Sequence, residues 1–284
     1  MIPGTFEYHK PKSTLEAAKL LKKHKESRVL AGGHSLLPMM KLRMADPSAL
    51  IDLGGIAALR GIKKIGTKIV IGAMTTQHEI LASALIKKNV PILHETAVLI
   101  ADPQVRYVGT IGGNVANGDP GNDMPAVMLA LDATYKITGP TATRSVKARA
   151  FYKGSYDTAL KAGEIVTAIE ISALGKHGYA YEKLKRKIGD YATAAAAVVL
   201  TVKGGKIATC SVSLTNLGPT ALLADAAAKA LIGTTGDEAA IEAAVAAARK
   251  IMQPANDTRG TPQYRTSVGG TYVARAIKTA MARA

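Results

Sequence analysis

The chain has 284 residues, of which 48% are hydrophobic, and a formal net charge of +16. This length is enough for a large core, for two or three compact units and for an enzyme. Because Cys210 is the single cysteine, internal disulfides, zinc sites of the C-x-x-C type and cysteine-held iron–sulfur clusters are excluded.

The N-terminal segment from Thr5 to Lys12 is polar, where a secretory signal peptide would need an apolar core. No apolar run approaches the roughly 20 residues that span a bilayer. The sequence therefore predicts a soluble, cytoplasmic protein.

The first predicted block, residues 1 to about 53, has the pattern of a small βαβ-like unit. Ser13 is a favourable helix N-cap, and Glu16 follows it three positions later, as in a capping box. The predicted elements are a helix from Ser13 to His24, a strand at Val29, a helix from Leu36 to Met44 and a strand from Leu50 to Leu53.

This block contains a glycine-rich turn made of Ala31, Gly32, Gly33, His34 and Ser35. Paired glycines let backbone N–H groups approach a phosphate closely, and Ser35 is placed to cap the following helix. An anion bound here would meet unpaired donors and the positive end of a helix dipole. We assign His34 to binding and not to catalysis, because no Ser or Cys nucleophile with a supporting acid is evident.

The second predicted block, from about 54 to 173, is richer in strands and contains a second glycine-rich turn after another apolar, β-prone stretch. That turn consists of Thr110, Ile111, Gly112, Gly113 and Asn114. Asn114 and Asn117 add amide donors, and residues 118–123 are too rich in turn formers for regular structure, which favours a binding loop. The predicted elements are strands at Ile62–Ile65, Lys68–Ile71, Thr134–Thr138 and Ile165–Ile171, and helices at Thr76–Ser83 and Pro91–Leu99.

Two such turns favour a two-sided clamp for a diphosphate. No glycine is followed by another glycine two positions later, which excludes the G-x-G-x-x-G of a Rossmann fold. Neither Gly175-Lys176 nor Gly205-Lys206 is followed by Ser or Thr, which excludes a P-loop. One glycine pair alone is more simply an ordinary turn, whereas two pairs with polar caps favour binding.

The third predicted block begins after a boundary at residues 175–178 and combines strands with three Ala-rich helical stretches. Its predicted strands are Tyr179–Leu184, Ala192–Val202 and Lys206–Leu214. The basic stretch from Lys183 to Lys187, followed by Gly189-Asp190, indicates a strand end and a turn near a site. Nucleic-acid binding is disfavoured, because the chain has two Phe, no Trp and no recognised motif. We prefer the interpretation that the positive charge forms a basic face, which binds an anionic cofactor and the acidic surface of a partner.

No metal site is predicted. The five histidines outside the first glycine-rich turn lack ligand spacing such as H-x-x-x-H. They are His9, His24, His78, His94 and His177. Cys210 lies in an alternating, strand-like run and is interpreted as a buried small hydrophobe.

Four stretches together resemble the flavoprotein subunits of the molybdenum hydroxylases. They are AGGHS, TIGGN with its continuation NVANGDPGNDMPAVMLALDA, TTQHEIL, and YEKLKRKIGDYATAAAAVVL. The resemblance extends over nearly the whole chain, from Met1 to the final helix, and the two glycine motifs are specific to this class. Within the family, KLKRKIGDYATAAAA resembles the carbon monoxide dehydrogenase branch.

The resemblance implies an α+β fold with a two-subdomain FAD-binding domain of the vanillyl-alcohol oxidase and p-cresol methylhydroxylase type. That domain would span residues 1–175, with subdomains of about 1–53 and 54–175 and FAD held between them. A smaller C-terminal domain of antiparallel sheet plus helices, residues 176–284, would cover the flavin.

The resemblance also implies roles for individual residues. By position, the motifs Ala31–Ser35 and Thr110–Asn114 would bind the diphosphate and the adjacent ribitol or ribose. Asp123 would accept a further hydrogen bond, and Lys183 and Tyr191 would lie near the isoalloxazine ring. A cation such as Lys183 stabilises the negative charge of a reduced flavin and raises its reduction potential.

Ordinary alternatives stay open at three of these positions. Asp123 also fits the N-cap of a helix from Met124 to Leu131. Tyr191 also fits a strand tyrosine with its hydroxyl in water. Lys183 has rivals at the neighbouring basic positions, which are Lys185, Arg186 and Lys187.

The function implied by the resemblance is electron transfer. Carbon monoxide would be oxidised with water at a molybdenum–copper centre of a large subunit, and electrons would pass through iron–sulfur clusters of a small subunit. The FAD of this chain would deliver them to an external acceptor such as quinone. The complex is expected to be a dimer of heterotrimers in the cytoplasm, with peripheral contact to the inner face of the membrane.

Three alternatives remain. The chain also fits the flavin subunit of another molybdenum hydroxylase, acting on a heterocycle, an aldehyde or a purine. A stand-alone FAD oxidoreductase of the same fold would need its own acid–base residues near the flavin, and no convincing set is evident. A basic nucleic-acid-binding protein would show salt-sensitive binding without a flavin.

Overall fold

The computed structural model describes residues 2–284, so Met1, where the first predicted domain begins, lies outside the described residues. The described chain is a mixture of helix and sheet, 37% helical and 27% strand, which confirms the α+β class. Among residues 2–284, no helix combines the length and the apolarity needed to cross a bilayer.

The N-terminal sheet has three parallel strands in the order β1 (Glu7–His9), β3 (Ala49–Asp52) and β2 (Arg28–Leu30). Between β1 and β2 runs helix α1 (Thr14–Lys23), and between β2 and β3 runs helix α2 (Leu36–Lys41). Ser13 caps α1 as predicted, since its hydroxyl accepts a 3.2 Å hydrogen bond from the Glu16 amide. Strand β1 was not predicted, because its sequence is polar and its residues are mostly exposed.

Two predictions about α2 were wrong. The helix ends at Lys41 and not at Met44, and Arg43 then takes a positive φ of 58°. Ser35 makes no side-chain capping hydrogen bond, because its own backbone is already in the helical region. A capping side chain needs an extended backbone at the N-cap to reach back to the first turn.

The central sheet has five strands joined in antiparallel pairs. Their order is β4 (Ile62–Ile65), β5 (Lys68–Gly72), β10 (Ile165–Ser172), β6 (Thr134–Thr138) and β7 (Thr143–Lys147). Alternate residues Tyr135 and Ile137 of β6 are buried, as the period of two predicts. A short hairpin of β8 (Tyr152–Gly154) and β9 (Asp157–Thr158) lies outside this sheet.

Six helices connect β5 to β6. They are α3 (Gln77–Ala82), α4 (Ala84–Asn89), α5 (Pro91–Leu99), α6 (Pro103–Val108), α7 (Ile111–Ala116) and α8 (Asp123–Ala130). Every residue of α8 is buried, so this helix forms the centre of the larger hydrophobic core. Residues 118–122 are irregular, as predicted, but the predicted irregular segment also included Asp123, which begins α8.

The stretch before the second glycine-rich turn is helix α6, and the prediction of a β-prone stretch there was wrong. Asp102 caps α6 by accepting a 2.9 Å hydrogen bond from the Val105 amide, and Pro103 occupies the first turn. This start signal outweighs the β propensity of the few apolar residues that follow. The glycine-rich turn itself forms the first turns of α7, with Thr110 as its N-cap.

The C-terminal sheet is antiparallel, as predicted, in the order β11 (Gly178–Leu184), β12 (Ala194–Lys203), β13 (Lys206–Thr215) and β14 (Leu222–Leu223). The three Ala-rich stretches form α9 (Asp225–Leu231), α10 (Glu238–Arg249) and α11 (Pro262–Ala282). Small side chains let α11 lie close to the sheet, and a Cβ at Gly178 would clash with the carbonyl oxygen of Ala280. Residues 185–193 connect β11 and β12 and include Tyr191, which lies beside Gly121 of the loop that precedes α8.

Candidate cofactor-binding site

The two glycine-rich turns, far apart in sequence, lie against each other in the fold. A Cβ built on Gly113 would stand 3.6 Å from the Cβ of Ala31. A Cβ on Gly32 would stand 2.5 Å from the carbonyl oxygen of Val108 and 2.8 Å from the Cα of Gly109. Only glycine allows the first turn to approach the backbone that leads into the second turn this closely.

The first turn offers free backbone donors. The amides of residues 32–35 donate no hydrogen bond to any of the described residues. Gly33 has a φ of +76°, a conformation that other residues adopt only with strain. Because α2 has only six residues, these donors rather than a long helix dipole would attract an anion.

In the second turn, by contrast, the four amides that follow Thr110 all donate to groups of the described chain. The amides of Ile111 and Gly112 donate to the carbonyls of Thr75 and Ala73 at 2.9 and 2.8 Å. Those of Gly113 and Asn114 donate to the hydroxyl and the carbonyl of Thr110, both at 3.0 Å. The predicted two-sided clamp is therefore asymmetric, with backbone donors on one side and side chains on the other.

Gly112 has a packing role. A Cβ at Gly112 would come within 2.5 Å of the Cβ and 2.6 Å of the carbonyl oxygen of Ala73. The missing side chain lets α7 lie directly on the segment that leaves β5. Sequence reasoning alone assigned both glycines of this pair to the same binding role.

Buried amide groups without partners lie beside the second turn. The Oδ1 atom of Asn114 and both amide atoms of Gln77 are buried with no hydrogen-bond partner among residues 2–284. Gln77 is 2% exposed, and its backbone amide donates to the carbonyl of Gly109. A buried, unpaired amide costs about 1–3 kcal/mol, so these groups fit a polar ligand that binds between the turns.

Sequence reasoning missed Gln77, although this residue lies in TTQHEIL, one of the stretches that carry the family resemblance. Thr76 caps α3 with a complete capping box to Glu79, so this stretch was interpreted only as a helix start. The available signal was a glutamine at the first turn of a helix whose flanking segment is apolar. Tertiary packing was needed to show that the amide is buried and unpaired.

Asp123 belongs to a buried polar cluster at the start of α8. Its carboxylate accepts hydrogen bonds from the hydroxyl of Tyr181 at 2.6 Å and from the ammonium of Lys183 at 2.8 Å. The side chains of Lys183 and Asp123 are 1% and 7% exposed. Burial raises the pKa of Asp123, and the Lys183 charge opposes this rise.

This cluster changes two expectations. Asn122, and not Asp123, is the N-cap of α8, so the alternative N-cap role of Asp123 was wrong. Lys183 is an ion-pair partner and not a free cation, and it also donates to the carbonyl of Leu99 at 3.3 Å. Its rivals Arg186 and Lys187 are exposed.

Tyr191 lies in the turn between β11 and β12 and is 41% exposed, so the interpretation as a strand tyrosine was wrong. Its ring is close to the loop before α8, because a Cβ at Gly121 would stand 3.1 Å from its Cδ1 atom. Partial burial and the charge of Asp119 raise the pKa of Tyr191, and the hydroxyl of Ser35 opposes the rise. Tyr191 thus lies next to both the first turn and the loop that follows the second.

Charged residues hold the Tyr191 segment. The guanidinium carbon of Arg259 lies 5.6 Å from the centre of the Tyr191 ring, and Arg259 also pairs with Asp190 at 3.6 Å. Arg265, which is 1% exposed, donates to the carbonyls of Thr193 and Asn216. His34, in contrast, is exposed and makes no side-chain hydrogen bond with the described residues.

Two family models together match most of the chain. Residues 4–173 match the FAD binding domain in molybdopterin dehydrogenase. Residues 179–280 match the CO dehydrogenase flavoprotein C-terminal domain.

Relatives match over essentially their full length. The chain is 56% identical to the carbon monoxide dehydrogenase medium chain of Afipia carboxidovorans over 286 residues, covering 100% of this chain and 99% of that protein. It is 35% identical to the glyceraldehyde dehydrogenase medium chain of Sulfolobus acidocaldarius, covering 98% and 99%. A crystal structure of a Cu,Mo-CO dehydrogenase in a cyanide-inactivated form contains a chain that superposes with a TM-score of 0.99, at 56% identity and 100% coverage of both.

Proposed function

The chain belongs to the family of FAD-binding flavoprotein subunits of the molybdenum hydroxylases, and from this premise we propose that it is the medium subunit of an aerobic carbon monoxide dehydrogenase. The 56% identity to a medium chain of that name, over the full length of both, supports the proposal. The 35% identity to a glyceraldehyde dehydrogenase medium chain is the reason to keep another molybdenum hydroxylase as the alternative.

The observation that carries the binding proposal is the contact between the two turns, with free amides at residues 32–35 and unpaired amide groups at Asn114 and Gln77. In our proposal, the free amides bind the diphosphate of FAD. Side-chain amides at the second turn bind the adjacent sugar or ribitol hydroxyls. The remaining members of both motifs shape the cleft, namely Ala31, His34, Ser35, Thr110, Ile111, Gly112 and Gly113.

We assign the flavin ring to the side of the site near Tyr191. Tyr191 would cover a ring face, held there by Arg259 and the segment around it. The Lys183–Asp123 pair would contribute a local dipole instead of a full positive charge, because the ammonium is neutralised by the carboxylate 2.8 Å away. We therefore expect Lys183 to affect the flavin reduction potential less than an isolated cation would.

Bound FAD supplies the ability to accept and release electrons, and we propose that this chain contributes binding, orientation and solvent exclusion around it. Partner subunits would hold the molybdenum–copper centre and the iron–sulfur clusters, in a dimer of heterotrimers. The electrons would leave the complex to an external acceptor such as quinone. A net charge of +16 favours docking to an acidic subunit surface or to the anionic inner face of the membrane.

The division of the chain is part of the same proposal. We assign residues 1–175 to the FAD-binding domain, with subdomains of about 1–53 and 54–175, and residues 176–284 to the C-terminal domain. FAD would lie where the first and second glycine-rich turns meet. The segment around Tyr191 would bring the C-terminal domain to the same cleft.

Cofactor binding is tested by titrating the purified chain, alone and with its partner subunits, with FAD and separately with FMN while following flavin fluorescence. We expect preference for FAD, because FMN lacks the diphosphate. Gly33→Val should abolish the preference, since Gly33 has a positive φ and its Cβ would stand 2.9 Å from Leu37. Gly175→Val is the matched control, because a Cβ there meets nothing within 4 Å.

No binding of either flavin, even in the complex, would refute the assignment of the cofactor. Salt-sensitive binding of DNA or RNA in the same preparation would favour the basic nucleic-acid-binding alternative.

The substrate of the complex is tested on material purified through an affinity tag on this chain from cells that express its native partner subunits. We expect carbon monoxide to bleach the flavin absorption, and the reduced complex to pass electrons to a soluble quinone. Bleaching by a heterocycle, an aldehyde or a purine, with none by carbon monoxide, would establish the alternative molybdenum hydroxylase.

A further inference from the structure

A second group of ligand-type side chains lies at the N-terminal sheet, outside the four stretches that carry the family resemblance. Glu7 and His9 point to the same side of β1, because they are two residues apart on a strand. His24 is the C-cap of α1. One donor atom from each of these three side chains lies within 4.8 Å of the other two.

The imidazoles of His9 and His24 converge on one carboxylate oxygen. The Nε2 atom of His9 is 3.1 Å and the Nδ1 atom of His24 is 3.5 Å from Oε2 of Glu7. The centres of the two rings are 4.5 Å apart. The folded chain thus assembles two nitrogen donors and one oxygen donor within 4.8 Å of one another.

The two imidazole rings have few hydrogen-bond partners in the rest of the described chain. Glu7 is the one side-chain partner of His9 within residues 2–284. The Nε2 atom of His24 is buried with no hydrogen-bond partner among the same residues. The side chains are 28% (His9), 17% (His24) and 65% (Glu7) exposed, so a small ion can reach the group from solvent.

The two nitrogen–oxygen distances fit a first-row divalent cation. In a tetrahedral zinc site with bonds of about 2.0–2.1 Å, neighbouring donor atoms lie about 3.3 Å apart. The two distances to Glu7, 3.1 and 3.5 Å, bracket this value. Two imidazoles and a carboxylate are a donor set that zinc prefers, with a fourth position open to water.

We propose that Glu7, His9 and His24 form a zinc-type divalent cation site. A cation bound there joins the first strand of the N-terminal sheet to the end of α1. This connection holds β1 beside β3, with which it pairs in parallel from Glu7 to His9. The site is separate from the proposed flavin site, so neither proposal depends on the other.

The test uses the full chain with no polyhistidine tag, freed of metal by a chelator and then titrated with Zn²⁺ by calorimetry. We expect one equivalent to bind saturably and to raise the melting temperature. His9→Gln and His24→Gln should each weaken Zn²⁺ binding by at least about tenfold. Mutation of residues that only support the ligands of a metal site already costs about tenfold or more in affinity. His94→Gln, on α5, is the matched control and should bind Zn²⁺ like the unaltered chain.

Two results would overturn the proposal. One is the absence of saturable Zn²⁺ binding, and the other is binding that survives in the double variant His9→Gln/His24→Gln. If these variants fail to fold, X-ray absorption of the Zn²⁺-loaded unaltered chain decides. Two imidazole ligands support the site, whereas none or one contradicts it. FAD titration of the same samples reports independently on the flavin site.

Discussion

The buried Lys183–Asp123 pair gives a sharp test of the physical account. Asp123→Asn removes the negative charge but keeps the shape of the side chain. The Lys183 ammonium then stays 1% exposed without a counter-charge, since the carbonyl of Leu99 at 3.3 Å and the new amide are both neutral. Breaking a buried pair by removing one partner costs about 3–5 kcal/mol, which we expect as the loss in free energy of unfolding.

The partner substitution, Lys183→Met, should have a pH dependence of its own, because the buried carboxylate that it leaves behind can take up a proton. Burial already raises the pKa of Asp123, and the charge of Lys183 opposes this rise. In Lys183→Met the opposing charge is lost, so the pKa of Asp123 rises further. A raised folded-state pKa contributes stability that is fully present below the unfolded value of about 4 and is lost as the pH rises through the folded value. Lys183→Met should therefore be most destabilised at high pH.

The assay is urea unfolding followed by circular dichroism, for each single variant and for Asp123→Leu/Lys183→Met. Because desolvation is the largest effect on Asp123, the double variant should lose less stability than the sum of Asp123→Leu and Lys183→Met. Lys187→Met, an exposed lysine of the same basic stretch, is the control and should stay within about 0.5 kcal/mol. A cost below about 1 kcal/mol for Asp123→Asn, or strict additivity in the cycle, would refute the reasoning.

Three further predictions concern other parts of the fold. Gly112→Ala should lower stability by about 1–3 kcal/mol through overpacking, with Gly175→Ala near neutral in the same thermal melts. Arg265→Met should lower the free energy of unfolding by about 3 kcal/mol, because backbone carbonyls lose a buried charged donor. Hydrogen exchange of the backbone amides around Tyr191 should accelerate, and unchanged exchange would contradict the positioning role of Arg265. Hydrogen bonds from Arg144 lower the pKa of Glu164. The contribution of Glu164 to folding stability is therefore fully present above the unfolded-state pKa of about 4.3, and it is lost as the pH falls through the lower folded-state pKa. Glu164→Gln should remove this part of the acid dependence, and an unaltered melting profile between about pH 3 and 5 would exclude it.

Periodicity and end signals predicted the bounds of several regular elements correctly. The strands Ile62–Ile65 and Thr134–Thr138 and the helix Pro91–Leu99 have the predicted bounds. The exposed strand β1 and the short helix α6 were missed, since their pattern is set by partners and caps rather than by hydrophobic alternation. Local propensity is a weak guide for elements this short.

The candidate site also combines features that the sequence predicts with features that it does not. The glycine pairs can be found from the sequence, because a position that needs a backbone without a Cβ atom is occupied by glycine. Their different roles were not predictable, since Gly112 is fixed by contact with Ala73 and the free amides at residues 32–35 depend on what the fold leaves unpaired. Gln77 was missed for the same reason, because burial without a partner is a property of the assembled core.

The sequence by itself determined the two glycine-rich motifs and the family resemblance, because residue type and spacing encode these directly, and the resemblance in turn implied the class of fold. Only the tertiary structure decided which groups face each other. Lys183 became an ion-pair partner of Asp123, and His9 and His24 came together around Glu7 from a strand and a helix end. The physical reason is that pairing, burial and pKa depend on distances between segments remote in sequence, and only the packed chain fixes those distances.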